Sequence, residues 1–282
     1  MNTQEIKKIC KIYDIRPDHD KGQNFLISPA AMDQVIQAAQ LSPNDSVLEI
    51  GPGLGFLTAR LIEQAKRLVS VELDYKLFRF LLSQFPNNKK LDLVNQDILK
   101  FDPTEHGLVD YKIVANLPYN ITSFFLKKFL TLQAGKPKSM TLMLQKEVAE
   151  RICAKPGSMS LLSISVQVYC QPEITARISK NDFWPVPKID SAVINLNAIM
   201  TNQMFKKWLG SVNENDFWQV VRIGFSARRK QLHNNLSAGL HIASLEAKSC
   251  LLAVGLAENV RPQDLSIGDW LGLVKKLKKY FK

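Results

Sequence analysis

Short apolar runs in the first half of the chain alternate with amphipathic stretches, and each run stops at a glycine or a polar residue. Val47-Leu48-Glu49-Ile50 precedes Gly51, and Leu68-Val69-Ser70-Val71 precedes Glu72. Residues 91–96 precede Asp97, and Lys112-Ile113-Val114-Ala115 precedes Asn116. The intervals between these ends are long enough for a crossover helix, which predicts neighbouring parallel strands. Residues 29–40 read as a helix with Pro29 in its first turn, 55–65 as a helix opening at a glycine turn, and 74–85 as an amphipathic helix halted by Pro86. A further helix is expected over 122–132, with Thr122 or Ser123 as N-cap before Phe124, Phe125, Leu126 and Phe129. Residues 141–144 read as a strand leading into a helix through Glu147 and Arg151. Residues 161–169 and 192–198 read as two more strands, separated by a Pro-rich stretch at 184–187.

Past about residue 200 the strand patterning stops. Residues 217–225, 245–254 and 267–277 have helical apolar spacing instead. The pattern therefore predicts an α/β fold. Residues 1–200 form a mainly parallel sheet with an antiparallel addition, and residues 201–282 form a small helical domain.

Composition narrows the class. The chain has 282 residues, 46% apolar and 22% charged, as in ordinary globular proteins. Cys10, Cys153, Cys170 and Cys250 are scattered with no C-x-x-C pair, and His19, His106, His233 and His241 show no metal-ligand spacing. No metal is expected, and the cysteines read as reduced thiols of a cytosolic protein. No secretory signal and no apolar stretch of membrane-spanning length is visible, so a cytoplasmic location is expected. Net charge is +11, and its distribution is uneven: residues 201–282 hold 13 Lys/Arg against 6 Asp/Glu. A basic C-terminal domain favours a polyanionic partner.

In an open parallel sheet the strand C-termini share one edge, where ligands bind. Gly51-Pro52-Gly53-Leu54-Gly55 lets the backbone turn tightly and approach a ligand without a Cβ in the way. Its spacing does not reproduce the dinucleotide fingerprint. Glu72, at the end of the next strand, can accept both ribose hydroxyls of a nucleoside, and Asp97 can accept from an adenine amino group. Nicotinamide and S-adenosylmethionine fit these three strand ends equally well.

Asn116-Leu117-Pro118-Tyr119 separates them. The adenine amino group is a poor nucleophile because its lone pair is delocalised into the ring. Two acceptors on its hydrogens favour a pyramidal nitrogen and return the lone pair to it. The Asn116 side-chain oxygen is one candidate. The Leu117 carbonyl is the other, its residue restricted by the fixed φ of Pro118. Tyr119 offers a flat face for the base. No general base is needed, since nitrogen becomes strongly acidic once methylated. The arrangement points to methyl transfer from S-adenosylmethionine to an exocyclic amine.

The chain resembles the KsgA family of ribosomal RNA adenine dimethyltransferases. The likeness is carried by Gly22-Gln23-Asn24-Phe25-Leu26, Glu49 to Gly55, Asn116 to Asn120, Gln145 to Ala149 and Phe183 to Ser191. It implies a Rossmann-like S-adenosylmethionine-dependent methyltransferase sheet. Cofactor contacts are implied at Asn24, Leu26, Gly51, Glu72, Asp97 and Asn116. Phe183 is implied to pack on the target base opposite Tyr119, although a core aromatic there is also compatible with the pattern. The implied substrate is a pair of adjacent adenosines near the 3′ end of 16S ribosomal RNA, within the small subunit or its precursor, each methylated twice by a monomeric enzyme. Met159-Ser160-Leu161-Leu162 and Asp18-His19-Asp20-Lys21 depart from the family pattern, so no RNA contact is carried over to them. Arg222, Arg228, Arg229 and Lys230 read as phosphate contacts, whereas Lys275, Lys276, Lys278 and Lys279 suit a solvated terminus equally well. Three other readings share part of this pattern: a 23S ribosomal RNA methylase of the antibiotic-resistance type, a DNA adenine methylase, and a ribosome-assembly factor whose binding matters more than its catalysis. The Phe183 to Ser191 segment and the Arg228-Arg229-Lys230 run weigh against the first, and the lack of a target-recognition domain weighs against the second.

Overall fold

The computed structural model describes residues 3–17 and 23–281. Gly22 and the segment Asp18-His19-Asp20-Lys21 lie outside the described residues. The chain forms two compact units. One runs through Ala149 and resumes over Cys170–Ile199; the other comprises Glu150–Tyr169 and the chain from Met200 onward.

The first unit begins with α1 (Thr3–Ile12), which buries Ile6 and Cys10, and continues through β1 (Phe25–Leu26) into α2 (Pro29–Ala39). Ser28 caps α2 by accepting from the Ala31 N–H at 3.3 Å, and Pro29 supplies the fixed φ of a first helical turn. Strands and helices then alternate: β2 (Ser46–Ile50), α3 (Phe56–Gln64), β3 (Arg67–Glu72), α4 (Tyr75–Gln84), β4 (Leu91–Asn95), β5 (Tyr111–Asn116), α5 (Thr122–Thr131) and β6 (Ser139–Gln145). Asp74 caps α4 by accepting from the N–H groups of Lys76 and Leu77. After α6 (Lys146–Ile152) and α7 (Leu161–Gln167), the sheet is completed by β7 (Gln171–Ile178) and β9 (Ser191–Asn197), while β8 (Phe183–Trp184) pairs with β1.

The seven-stranded sheet has the order β4-β3-β2-β5-β6-β9-β7. Its first five strands are parallel, and β9 and β7 join antiparallel. Ile50 lies opposite both Val71 and Ala115. The chain leaves β2 towards β3 and β4, then returns on its other side as β5. Such a reversal opens a crevice at the strand C-termini, and Gly51 and Asn116 sit on its two lips. Val47, Leu48, Ile113 and Val114 are fully buried, as expected of central parallel strands covered on both faces.

The second unit holds α7, α8 (Asn202–Leu209), α9 (Glu214–Gly224), α10 (Leu232–Leu240), α11 (Ser244–Leu252) and α12 (Ile267–Leu277). Two expectations are corrected here. Residues 161–169 were expected as a strand but form helix α7. Ser160 and Ser163 cap each other reciprocally at its start, and Gln167 donates to the Ile152 and Ala154 carbonyls. A short apolar run carries no decisive period, and the cap settles it as a helix. The stretch 150–169 also clusters with the helical unit rather than with residues 1–149. Three helices (α1, α8, α10) and strands β1, β7 and β8 had no counterpart in the sequence pattern. β7 is a sheet-edge strand opening on Gln171-Pro172, a composition that reads as a turn. No helix among the described residues is long and apolar enough to cross a membrane.

In the helical unit, α9 lies against α12 so closely that a Cβ added to Gly224 would meet the Trp270 ring at 2.3 Å. Trp270 is fully buried and cannot swing away. Gly224→Ala is therefore expected to destabilise the protein by about 1–3 kcal/mol through overpacking, read as a lower urea midpoint. An unchanged midpoint would show that α12 yields at no cost.

Candidate active site

A cavity at the C-terminal edge of the sheet is lined by Gln23, Asn24, Phe25, Leu26, Glu49, Gly51 to Leu54, Phe56, Leu57, Glu72 to Asp74, Leu77, Asn116 and Pro118. Five of the six residues expected at the cofactor are among them: Asn24, Leu26, Gly51, Glu72 and Asn116. The sixth, Asp97, is not. It lies two residues past the end of β4, half-buried, and its Oδ1 accepts from the Leu99 N–H at 2.9 Å, capping the following turn.

The glycine turn after β2 is built around Glu72. Gly53 adopts φ +58°, and a Cβ there would lie 2.8 Å from the Phe25 ring. Its N–H donates to Glu72 Oε2 at 3.1 Å, while Oε1 accepts from the Asp74 N–H at 2.9 Å. Glu72 is 5% exposed, and burial pushes its carboxyl up to about 7 against the opposing pull of these backbone donors. Each carboxylate oxygen keeps acceptor capacity for a ligand hydroxyl.

Glu49 was quoted in the glycine motif but given no role, and the structure places it on the cavity wall. It is 1% exposed; Oε2 accepts from Thr58 Oγ1 at 2.9 Å and from Ser70 Oγ at 2.6 Å. Oε1 is buried with no hydrogen-bond partner among the described residues. Burial pushes this carboxyl also up to about 7, the two hydroxyls pull it down, and the nearby Glu72 charge pushes it up. A buried acceptor without a donor is costly. Its alternation with Ile50 at the end of β2 was the only signal available beforehand.

On the β5 side, the Asn116 side chain donates from Nδ2 to the Asn24 carbonyl at 3.1 Å. That bond defines which end of the amide is nitrogen and leaves Oδ1 as an acceptor. Leu117 is anchored by its N–H, which donates to the Met143 carbonyl at 3.2 Å. Tyr119 opens a single 3-10 turn, and its hydroxyl lies 3.0 Å from Ser191 Oγ at the start of β9. Burial raises its phenol above the ordinary value. The ring is thus tethered through its hydroxyl, by a bond that the spacing of residues 119 and 191 gave no means to anticipate.

Phe183 lies within the core of the sheet unit. Its ring is 1% exposed and packs in a cluster with Leu26, Met32, Val35 and Val193. In the two-residue strand β8 neighbouring side chains take opposite faces, so Phe183 points into the core. Trp184 stacks on Phe25 at 6.3 Å between centroids. This burial fits the core-aromatic alternative for Phe183.

The helical unit presents a separate feature. Arg222, Arg228, Arg229 and Lys230 are all exposed, and none has an ion-pair partner among the described residues. Asn235, buried in α10, donates from Nδ2 to the Gly224 carbonyl at 2.5 Å and to the Ala227 carbonyl at 3.1 Å. The Lys230 N–H also donates to Ala227 O, at 3.0 Å. The cationic turn is therefore pinned from beneath while its side chains face solvent. Lys278 is engaged with the Ser211 carbonyl, and Lys279 lies over the Tyr280 ring.

A model of the family described as ribosomal RNA adenine dimethylase matches residues 17–279. The chain belongs to that family. It is 40% identical over 268 residues to ribosomal RNA small subunit methyltransferase A of Dehalococcoides mccartyi strain CBDB1, covering 94% of this chain and 90% of that one. It is 37% identical over 274 residues to the protein of the same name from Clostridium botulinum strain Langeland, covering 96% of each. Among solved structures, a dimethyladenosine transferase from Plasmodium falciparum superposes with a TM-score of 0.75 at 27% identity, over 91% of this chain and 98% of that one. The 23S rRNA methyltransferase ErmE superposes with a TM-score of 0.70 at 24% identity, over 90% and 100%. The protein is thus an S-adenosylmethionine-dependent methyltransferase with the Rossmann-like sheet of its family.

The cavity suits that cofactor. The Glu72 carboxylate can accept from a diol, a Glu49 oxygen without a donor among the described residues suits a cationic group, and glycine at 53 lets the Phe25 ring close one wall of the cavity where a Cβ would collide with it. Both carboxyls are raised, so in the ligand-free protein their contribution to stability is complete below the ordinary value of 4.5 and is lost as pH rises through about 7. Two outcomes are expected. S-Adenosylmethionine affinity rises between pH 6 and pH 8, and Glu72→Ala weakens it at least about tenfold, measured by calorimetry. Glu49→Gln raises the melting temperature of the ligand-free protein at pH 8 and weakens cofactor binding. A flat pH dependence of affinity would mean that neither carboxylate senses the ligand.

Proposed function

We propose that this chain transfers methyl groups from S-adenosylmethionine to the exocyclic amines of two adjacent adenosines near the 3′ end of 16S ribosomal RNA, two per base, during small-subunit assembly. The observation that carries the reading is the Asn116 amide, oriented by its hydrogen bond to Asn24 so that Oδ1 remains to accept. Bound S-adenosylmethionine supplies a methyl group made electrophilic by its sulfonium. The chain does the rest by positioning and preorganised electrostatics. Asn116 Oδ1 and the Leu117 carbonyl accept the two amine hydrogens and hold the nitrogen pyramidal. Tyr119 stacks on the base, its ring steadied through Ser191. Glu72 accepts the cofactor ribose hydroxyls, and Asp97 accepts from the cofactor adenine with the oxygen its own turn leaves over.

Two relatives named as small-subunit methyltransferases, at 40% and 37% identity, support the small-subunit target. The likeness to ErmE concerns the fold alone, and so favours no 23S target. We take the enzyme to act as a monomer, and a ribosomal RNA substrate supports a cytoplasmic location. The sheet unit would carry catalysis and the helical unit, which includes residues 150–169, RNA binding, with Arg222, Arg228, Arg229 and Lys230 on phosphates.

Asn116→Ala is expected to slow methyl transfer to unmethylated small subunits on the order of 10²-fold, by analogy with losing one transition-state hydrogen bond. Tyr119→Ala should be severely impaired, whereas Tyr119→Phe and Ser191→Ala should each lose only a few-fold, since the ring remains and only its tether is cut. A Tyr119→Phe enzyme as inactive as Tyr119→Ala would give the phenol a chemical role. Where binding outweighs catalysis, a Glu72/Asn116 double variant without transferase activity still supports normal subunit maturation. Replacing Arg228 and Arg229 by Gln should weaken RNA binding and flatten its log–log salt slope by about one to two units, leaving cofactor affinity unchanged. An unchanged slope would assign this run to solvent.

A further inference from the structure

The α5 helix that follows the catalytic turn presents an unusual pair of faces. Its inner face buries Thr122, Phe125, Leu126, Phe129 and Leu130. Its outer face carries Ser123, Phe124 and Lys127. Phe124 is 66% exposed, and every other phenylalanine among the described residues is buried or half-buried. Its ring has no aromatic partner, and Lys127 has no carboxylate partner, among the described residues. The two are three residues apart on a helix, so their side chains share one face. A helix following a parallel strand starts at the ligand edge of the sheet and runs back along it. The first turn of α5, where Phe124 stands, is therefore on the same edge as Asn116, with only the 3-10 turn Tyr119–Ile121 between the catalytic tetrad and the helix.

An exposed aromatic ring next to an unpaired cation, at the rim of a site that takes an adenine, matches the chemistry of one further nucleotide. The ring provides a stacking platform for a base, and the ammonium a point charge for its phosphate. A base drawn out of its stack for chemistry leaves its neighbour without a stacking partner on that side. We propose that Phe124 and Lys127 form a second nucleotide subsite, in which the unstacked base flanking the target adenosine stacks on Phe124 and its phosphate is met by Lys127. This rests on the amine-methylation reading above, and extends it from the reacting base to the one beside it. With one neighbour held on α5, the strand cannot slide while a base receives both methyl groups.

The test is a double-mutant cycle on the full chain. Small-subunit particles are assembled with a synthetic RNA 3′ segment, either intact or carrying an abasic nucleotide on one or the other side of the target adenosine. Single-turnover methyl transfer is measured for wild type, Phe124→Ala and Phe124→Trp. On intact RNA, Phe124→Ala is expected to lower kcat/KM by roughly tenfold, the loss of one base–aromatic stack, while Phe124→Trp retains most of it. On one of the two abasic substrates the Phe124→Ala defect should shrink to about twofold or less, because ring and base are then lost as a pair. Cofactor affinity by calorimetry should be equal in all three proteins, since Phe124 does not line the cofactor cavity. Full activity of Phe124→Ala overturns the proposal. So does a defect of the same size on the intact and both abasic substrates, which would assign Phe124 to a protein surface of the particle. Failure of the wild type itself to bind cofactor and methylate intact particles overturns the parent reading, and this subsite with it.

Discussion

The chemistry of this protein depends on the seam between β2 and β5. These strands are neighbours in the sheet although about sixty residues of chain separate them, because the polypeptide builds β3 and β4 on one side of β2 before returning on the other. The divergence leaves a gap above their C-termini that no crossover helix covers. Gly51 and Glu49 stand on one side of the gap and Asn116 on the other. Their arrangement needs no special loop, only the register that sets Ile50 against Ala115. A slip of one residue in that pairing would turn Glu49 and Asn116 to the opposite faces of the sheet.

Into that seam the fold places two carboxyl groups that it does not neutralise. Glu72 is partly satisfied by backbone N–H groups and Glu49 by two hydroxyls, yet each is raised to about 7 and one oxygen of Glu49 has no donor among the described residues. In the ligand-free protein this is a local destabilisation, borne by a sheet whose central strands are fully buried. A ligand with hydroxyls and positive charge relieves it on binding. On the proposed reading, the same groups that lower the stability of the empty site would supply the affinity of the filled one, with a pH response set by the work of removing two negative charges from water.

The helical unit solves a different problem, which is to keep cations together without neutralising them. Arg222 in the last turn of α9 and Arg228, Arg229 and Lys230 just after it are exposed, and none has an ion-pair partner among the described residues. Their backbone is held instead by neutral contacts: the Asn235 amide beneath the turn, and the close fit of Gly224 on Trp270. A rigid, unpaired cluster of this kind is preorganised for phosphate, since neither a salt bridge nor a mobile loop must be given up on binding. The rim of the sheet unit shows the same economy in Phe124 and Lys127, which have no partner within the described chain.

Much of this was legible in the order of residues. Strand ends at Gly51, Glu72 and Asn116 follow from apolar runs that stop at polar residues, and α2 and α4 from caps and prolines within a few positions; these are local signals that one stretch of chain carries by itself. The same holds for the separation of a strand-rich first part from a helical, basic remainder. Other features were decided only when distant segments met. α7 is a helix because Ser160 and Ser163 cap it and because Ile152 and Ala154 accept from Gln167, not because of its apolar period. Phe183 is core because β8 pairs with β1 and turns it inward. The orientation of the Asn116 amide belongs to Asn24, ninety-two residues earlier, and the tether of Tyr119 to Ser191, seventy-two residues later. Sequence by itself determined which residue types stand at the end of each strand, since that depends on local periodicity. Tertiary structure decided which of their atoms are left free to act, since a hydrogen bond is consumed by whichever partner the fold brings within reach.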